Sequence, residues 1–128
     1  MPLPTLAFHC VFHTYRRRIV FVESIHTKAD LLVQQIAKDK DMELICHAVM
    51  PDHVHLLLRL PAQEVSRAMN LFKGIMSRRV FQDFPDLKLD MHSNHLWAEG
   101  YFARTVDRAS IPATIRYIQN QSHPPHDL

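Results

Sequence analysis

Apolar and polar residues alternate with period two at the start of the chain. Across Leu6–His13, the residues Leu6, Phe8, Cys10 and Phe12 fall on one face of a predicted strand. The period then lengthens to that of a helix. Ala29, Leu32, Val33 and Ile36 share one helical face, with Thr27 expected as its N-cap and Asp30 as a capping-box acid. Asp39-Lys40-Asp41 ends that helix, and Glu43–Met50 reads as a second strand. Pro51-Asp52 favours a turn before a third strand, His53–Leu60. The two strands lie too close for a crossover helix, so they should pair as an antiparallel hairpin. After Pro61, an apolar stripe of Val65, Met69, Phe72, Met76 and Val80 predicts a second long helix. Ser66, Asn70, Lys73 and Ser77 form its polar face. Pro85 closes it, and a polar loop through Asn94 is expected next. His95–Trp97 and Tyr101–Val106 suggest a fourth strand. Ser110 should N-cap a last helix with Pro112 in its first turn, Ile111, Ile115 and Ile118 facing the sheet, and His123-Pro124-Pro125 as its stop. The order β-α-β-β-α-β-α predicts an α+β, ferredoxin-like antiparallel sheet with an added C-terminal helix.

Composition narrows the classes. The 128 residues suit a single domain over 1–128. With 47% apolar and 22% charged residues, the chain reads as an ordinary globular protein. No apolar stretch is long enough to span a membrane, and Met1–Pro4 offers no secretory signal, so no membrane partner is expected. Two cysteines, Cys10 and Cys46, are too few for a disulfide framework, so a reduced, cytoplasmic setting is expected. Only two glycines are present, and neither a G-x-x-x-x-G-K nor a G-x-G-x-x-G pattern occurs. A nucleotide cofactor is therefore not expected. The net charge is only +2, but the arginines cluster at Arg16, Arg17 and Arg18, and Lys73, Arg78 and Arg79 group further on. Such clusters permit a positive face for a polyanion.

Ten histidines invite a search for metal chemistry, and His53-Val54-His55 holds the most of it. On a strand, residues i and i+2 point the same way about 6–7 Å apart, so two imidazoles can grip one divalent cation while Val54 packs on the other face. By itself this spacing is a weak signal. His9 and His13 lie on the first strand, facing solvent or a ligand. On the last helix, Tyr117 and Gln121 stand four apart and share a face distinct from the isoleucines. A tyrosine hydroxyl can be a nucleophile, and a glutamine oxygen suits a hard cation.

These segments together resemble a known family. Met50-Pro51-Asp52-His53-Val54-His55-Leu56-Leu57-Leu58 is similar to the histidine-hydrophobic-histidine (HUH) motif of single-tyrosine transposases of the insertion sequence 200/605 type. Phe8–Arg18 resembles that family's first strand and its basic exit, and Leu71–Arg79 its Leu-Lys-Gly helix. Leu96–Phe102 and Arg116–Gln121 resemble its Leu-Trp and Tyr-Ile segments. The motifs follow in the family's order across nearly the whole chain. Two departures stand out: few residues precede the first strand, and Asp107 stands where a glycine is common.

The resemblance implies a metal-dependent transposase acting on single-stranded DNA. Tyr117 would be the nucleophile that forms a 5′-phosphotyrosine, with His53, His55 and Gln121 holding Mg²⁺ or Mn²⁺. It also implies recognition of DNA hairpins at the ends of a mobile element, and a homodimer whose active sites can be shared in trans. Arg16, Arg17, Arg18, Lys73, Arg78 and Arg79 are the candidates for phosphate contact. A repetitive-element-associated or domesticated relative is the nearest alternative. A non-catalytic nucleic-acid-binding module of the same fold, with Phe8 and Phe12 as stacking residues, is a more distant one.

Overall fold

The hairpin at Pro51-Asp52 forms the centre of the molecule. In the computed structural model, which describes residues 3–122, β2 (Glu43–Met50) and β3 (His53–Leu60) pair antiparallel, with Met50 opposite His53. A register shift interrupts the ladder between Leu44 and Cys46. The first strand, β1 (Leu6–His13), pairs with β3 so that His13 faces His53. The last, β4 (Phe102–Val106), pairs with the other edge of β1. The sheet order is β2-β3-β1-β4, all antiparallel, which is the ferredoxin-like order read from its other edge.

Period-two alternation sorts the strand residues between two layers. Phe8, Cys10 and Phe12 of β1 and Val54, Leu56 and Leu58 of β3 point into the larger core. There α1 (Glu23–Asp39) contributes Ala29, Leu32, Val33 and Ile36, and α2 (Val65–Asp83) contributes Met69, Phe72, Met76 and Val80. The opposite sheet face carries a smaller cluster of Ala7, Ala48, Leu57 and Val106. Over it lies α4 (Ile111–Ser122), with Ile118 fully buried and Ile111 and Ile115 packed alongside. This second face is only partly apolar, and its polar remainder holds the histidines.

Several local expectations are corrected. Helix α1 begins at Glu23, and Thr27 sits inside it, donating its hydroxyl to the Glu23 carbonyl at 3.3 Å rather than capping. Asp30 is no capping acid either, since its carboxylate accepts from His47 Nε2 on β2 at 2.7 Å. The expected loop after Pro85 contains a short helix, α3 (Leu87–Met91), because Leu87 and Met91, four apart, both reach the core. The fourth strand starts at Phe102, and Trp97 makes only an isolated bridge with Thr14. Leu6 stays exposed at the start of β1. Asp107 caps the turn that precedes α4, its carboxylate accepting the Ser110 N–H at 2.8 Å, and Ser110 directly precedes the helix. That same aspartate is where a glycine was expected. The predicted stop at His123-Pro124-Pro125 lies outside the described residues.

Candidate active site

His53 and His55 project from β3 toward α4, while Val54 between them is buried in the larger core. Their Nε2 atoms approach to 3.1 Å. Each ring is held through its other nitrogen. His53 Nδ1 donates to Asp52 Oδ1 at 2.7 Å, and Asp52 Oδ2 accepts from Arg17 Nε at 2.9 Å. Burial pushes the Asp52 carboxyl up, but the hydrogen bonds from His53 and Arg17 outweigh it and hold Asp52 below its ordinary range. On the other side, His55 Nδ1 and His9 Nε2 share a hydrogen bond of 3.0 Å, and the two rings stack. His9 stands opposite Leu57 in the β1–β3 register, so it reaches His55 diagonally.

The turn that presents Asp52 is fixed by its neighbours. Its carbonyl accepts both the backbone N–H and the hydroxyl of the buried Thr14, and the Pro51 carbonyl accepts the N–H groups of Val20 and Phe21. Arg16 and Arg17 both adopt left-handed backbone angles, φ 53 and φ 56, unusual for side chains with a Cβ. That conformation turns Arg17 back onto Asp52.

Burial lowers the pKa of His55 to about 4, with the neighbouring imidazoles His53, His9 and His13 adding to the effect. Burial and Arg104 lower His9, and burial and Arg17 lower His13. His55 is therefore neutral at pH 7. His53 Nδ1 faces Asp52, so its Nε2 is the nitrogen turned toward His55. The 3.1 Å contact is a hydrogen bond only when a single proton lies between the two Nε2 atoms, a position suited to a cation instead. Two imidazoles with both outer nitrogens anchored and both Nε2 atoms turned toward one point fit a divalent metal. Among the described residues, no group of three His, Cys, Asp or Glu side chains is arranged to hold a metal.

Tyr117 lies against His55 and His9. Its ring stands edge-on to His55 with centroids 5.9 Å apart, and to His9 at 6.1 Å. It is 52% exposed, whereas Ile118 beside it is fully buried, so α4 pins its own backbone and leaves the phenol accessible. Gln121 follows one turn later, half-buried. The structure thus gathers Tyr117, His53 and His55 in one chain and adds His9 and Asp52.

The basic residues divide. Arg17 is bound to Asp52, and Arg16 lies over the Tyr15 ring at 5.2 Å. Lys73 has a structural tie: its ammonium donates to the carbonyls of Ala98 and Gly100 at 2.9 and 2.8 Å. Arg78 and Arg79 are on α2, which covers the sheet face opposite the histidines. Arg18 is exposed next to Arg17. Burial raises the Cys46 thiol and pushes Cys10 up to about 12, which disfavours the thiolate at both. No helix among the described residues is long and apolar enough to cross a membrane.

Comparison with known proteins agrees with this geometry. The family described as "Transposase IS200 like" matches residues 3–121. The ISDra2 transposase TnpA of Deinococcus radiodurans is 32% identical over 117 residues, covering 91% of this chain and 84% of that protein. The transposase for insertion sequence element IS200 of Salmonella typhimurium is 28% identical over 102 residues, covering 79% and 67%. A crystal structure of a transposase from Deinococcus radiodurans superposes with a TM-score of 0.73 at 32% identity, covering 93% of this chain and 92% of that one. A REP-associated tyrosine transposase bound to a REP hairpin superposes with a TM-score of 0.65 at 12% identity, covering 92% and 67%, and so shares the fold. With the family match running from before β1 to the end of α4, this chain belongs to the IS200-like transposase family.

Proposed function

We propose that the protein cuts and rejoins single-stranded DNA at the ends of a mobile element, with Tyr117 as nucleophile. The observation that carries this reading is the exposed Tyr117 ring set edge-on to His55, whose Nε2 meets that of His53. The Tyr117 oxygen attacks the scissile phosphorus, forming one O–P bond as the bond to the departing 3′-oxygen breaks. The phenolic proton is lost to solvent, and the 3′-oxygen leaves as a hydroxyl. The DNA stays attached through a 5′-phosphotyrosine, so the linkage energy is conserved. A second 3′-hydroxyl reverses the step and joins a new strand. No nucleotide is consumed.

His53, His55 and Gln121 would hold Mg²⁺ or Mn²⁺. Once bound, the ion supplies Lewis-acid stabilisation of charge on the phosphate oxygens. The chain's own contribution is orientation. Asp52 keeps the His53 proton on Nδ1, and His9 fixes the His55 ring. Arg18, exposed beside Arg17, is the favoured phosphate contact, and the partner is a single-stranded DNA hairpin of the kind bound by the REP-associated neighbour. A homodimer is part of the proposal, supported by β4, a mostly exposed edge strand with Phe102 69% exposed. Within one chain the Tyr117 ring reaches His55 and His9, and mixing of variant subunits distinguishes this arrangement from an active site shared across the dimer. The reading places the protein in the cytoplasm, at the nucleoid.

The test is cleavage of labelled single-stranded hairpin DNA in Mn²⁺. Wild-type protein should cut it, and His53→Ala and His55→Ala should each lose cleavage while still binding the hairpin. Full cleavage by both variants would refute the histidine assignment.

A further inference from the structure

Beyond the end of β1 lies a cavity of about 390 Å³ that the proposed phosphoryl transfer does not use. It is lined by Tyr15, Arg16, His95, Trp97, Ala98 and Glu99. Its size falls within that of small-molecule sites, about 300–1,000 Å³. Its walls are tied together. The Tyr15 N–H donates to the Leu96 carbonyl at 2.8 Å, and the Ala98 N–H to the His13 carbonyl at 2.9 Å. The Trp97 indole N–H donates to the Lys73 carbonyl, and the Lys73 ammonium returns to the Ala98 carbonyl. Trp97 is braced from behind by Phe12 and Phe21, with ring centroids 4.7 and 5.5 Å away.

The chemistry of the lining favours a flat, neutral, N–H-bearing ring. Tyr15 and His95 stand 5.9 Å apart, and Arg16 lies over the Tyr15 ring. Aromatic and guanidinium planes are stacking platforms for bases. Glu99 can only accept hydrogen bonds and repels phosphate. Cytosine, adenine and guanine each offer it an exocyclic amino group. The strained backbone points the same way. Arg16 and Arg17 are consecutive left-handed residues, and their side chains part: Arg16 goes to the aromatic cavity and Arg17 to Asp52 of the histidine site. Tyr15 lies two residues after His13, so the cavity begins within about 7 Å of chain from the site.

We propose that this cavity receives one unpaired, amino-bearing nucleobase of the DNA strand that crosses the active site, stacked on Tyr15 and hydrogen-bonded to Glu99. The proposal rests on the single-stranded DNA reading above and adds base selection by the protein to it. Trp97, the single tryptophan, is a built-in reporter.

The test uses full-length protein carrying Tyr117→Phe, so that no cleavage intervenes. Two hairpins are titrated, one with a single-stranded tail and one with the same tail made abasic, with binding read by anisotropy and the cavity by Trp97 fluorescence. The intact tail should change Trp97 fluorescence saturably, and the abasic tail should not. Tyr15→Leu should weaken the intact tail about 5- to 150-fold, leave the abasic tail's affinity as it was, and abolish the preference between them. Glu99→Gln should reduce the preference for a cytosine tail over a thymine tail. Tight binding of the intact tail without a Trp97 change overturns the cavity assignment alone. So does an equal change with the abasic tail, or a Tyr15→Leu protein that weakens both tails equally. Failure to bind either hairpin overturns the single-stranded DNA reading, and the cavity assignment with it.

Discussion

His55 is 5% exposed, and its two ring nitrogens meet other imidazoles, so its charge state couples to folding. Its pKa in the fold is about 4, against about 6.5 when unfolded. Between those values the unfolded chain binds more protons, so stability rises with pH, and the contribution is fully lost below about pH 4. The effect is on the order of 3 kcal/mol at most. Urea unfolding at pH 7 and pH 4.5 should show the loss, and His55→Gln, which cannot be protonated there, should show a smaller one. An equal loss in both proteins would contradict this account. Asp52 acts through His53, so Asp52→Ala should lower Mn²⁺ affinity about 10–100-fold by calorimetry. Asp52→Asn, which keeps an oxygen acceptor, should fall between it and wild type. Affinity unchanged in Asp52→Ala would remove Asp52 from the site. The His53-Val54-His55 spacing was legible from the sequence, because alternation on a strand fixes which side chains share a face. His9 was not: its meeting with His55 depends on the β1–β3 register, which no local pattern encodes.

At the scale of elements, Lys73 shows what helix position alone leaves out. It sits on the polar stripe of α2, as a phosphate-binding lysine would, yet it fastens Ala98 and Gly100 ahead of β4. Charged hydrogen bonds of this kind contribute about 1.5–3 kcal/mol. Lys73→Met should lower unfolding free energy by about that amount and leave the salt dependence of DNA binding unchanged. Arg18→Ala should reduce the slope of log affinity against log salt by about 0.7, whereas replacing Arg78 and Arg79 with Ala should leave it intact. A fall in slope for the latter pair would place DNA across α2. The strands and the two long helices were readable because their apolar periods are strong. Helix α3 was not, since five residues with two apolar anchors carry little periodic signal. The start of α1 at Glu23 was missed because no side chain caps it.

The whole molecule is a sheet with two unlike faces. One is a continuous apolar core under α1 and α2, and the other is an apolar strip under α4 that gives way to imidazoles. The division follows from alternation, so the fold and the site come from the same pattern. The contact of Tyr117 with His55 required the structure, since helix periodicity says which residues share a face but not what that face meets. That placement makes a prediction about assembly. Mixing His53→Ala with Tyr117→Phe subunits should not restore cleavage, and recovery would mean that the helix serves the partner's site. The central claim is that Tyr117 becomes covalently joined to DNA. It is tested most directly by incubating the protein with labelled single-stranded hairpin DNA and Mn²⁺, denaturing, and mapping the label by mass spectrometry. The account predicts a DNA-linked peptide modified at Tyr117 and no adduct in Tyr117→Phe; an adduct that persists in Tyr117→Phe, or maps to another residue, would contradict it.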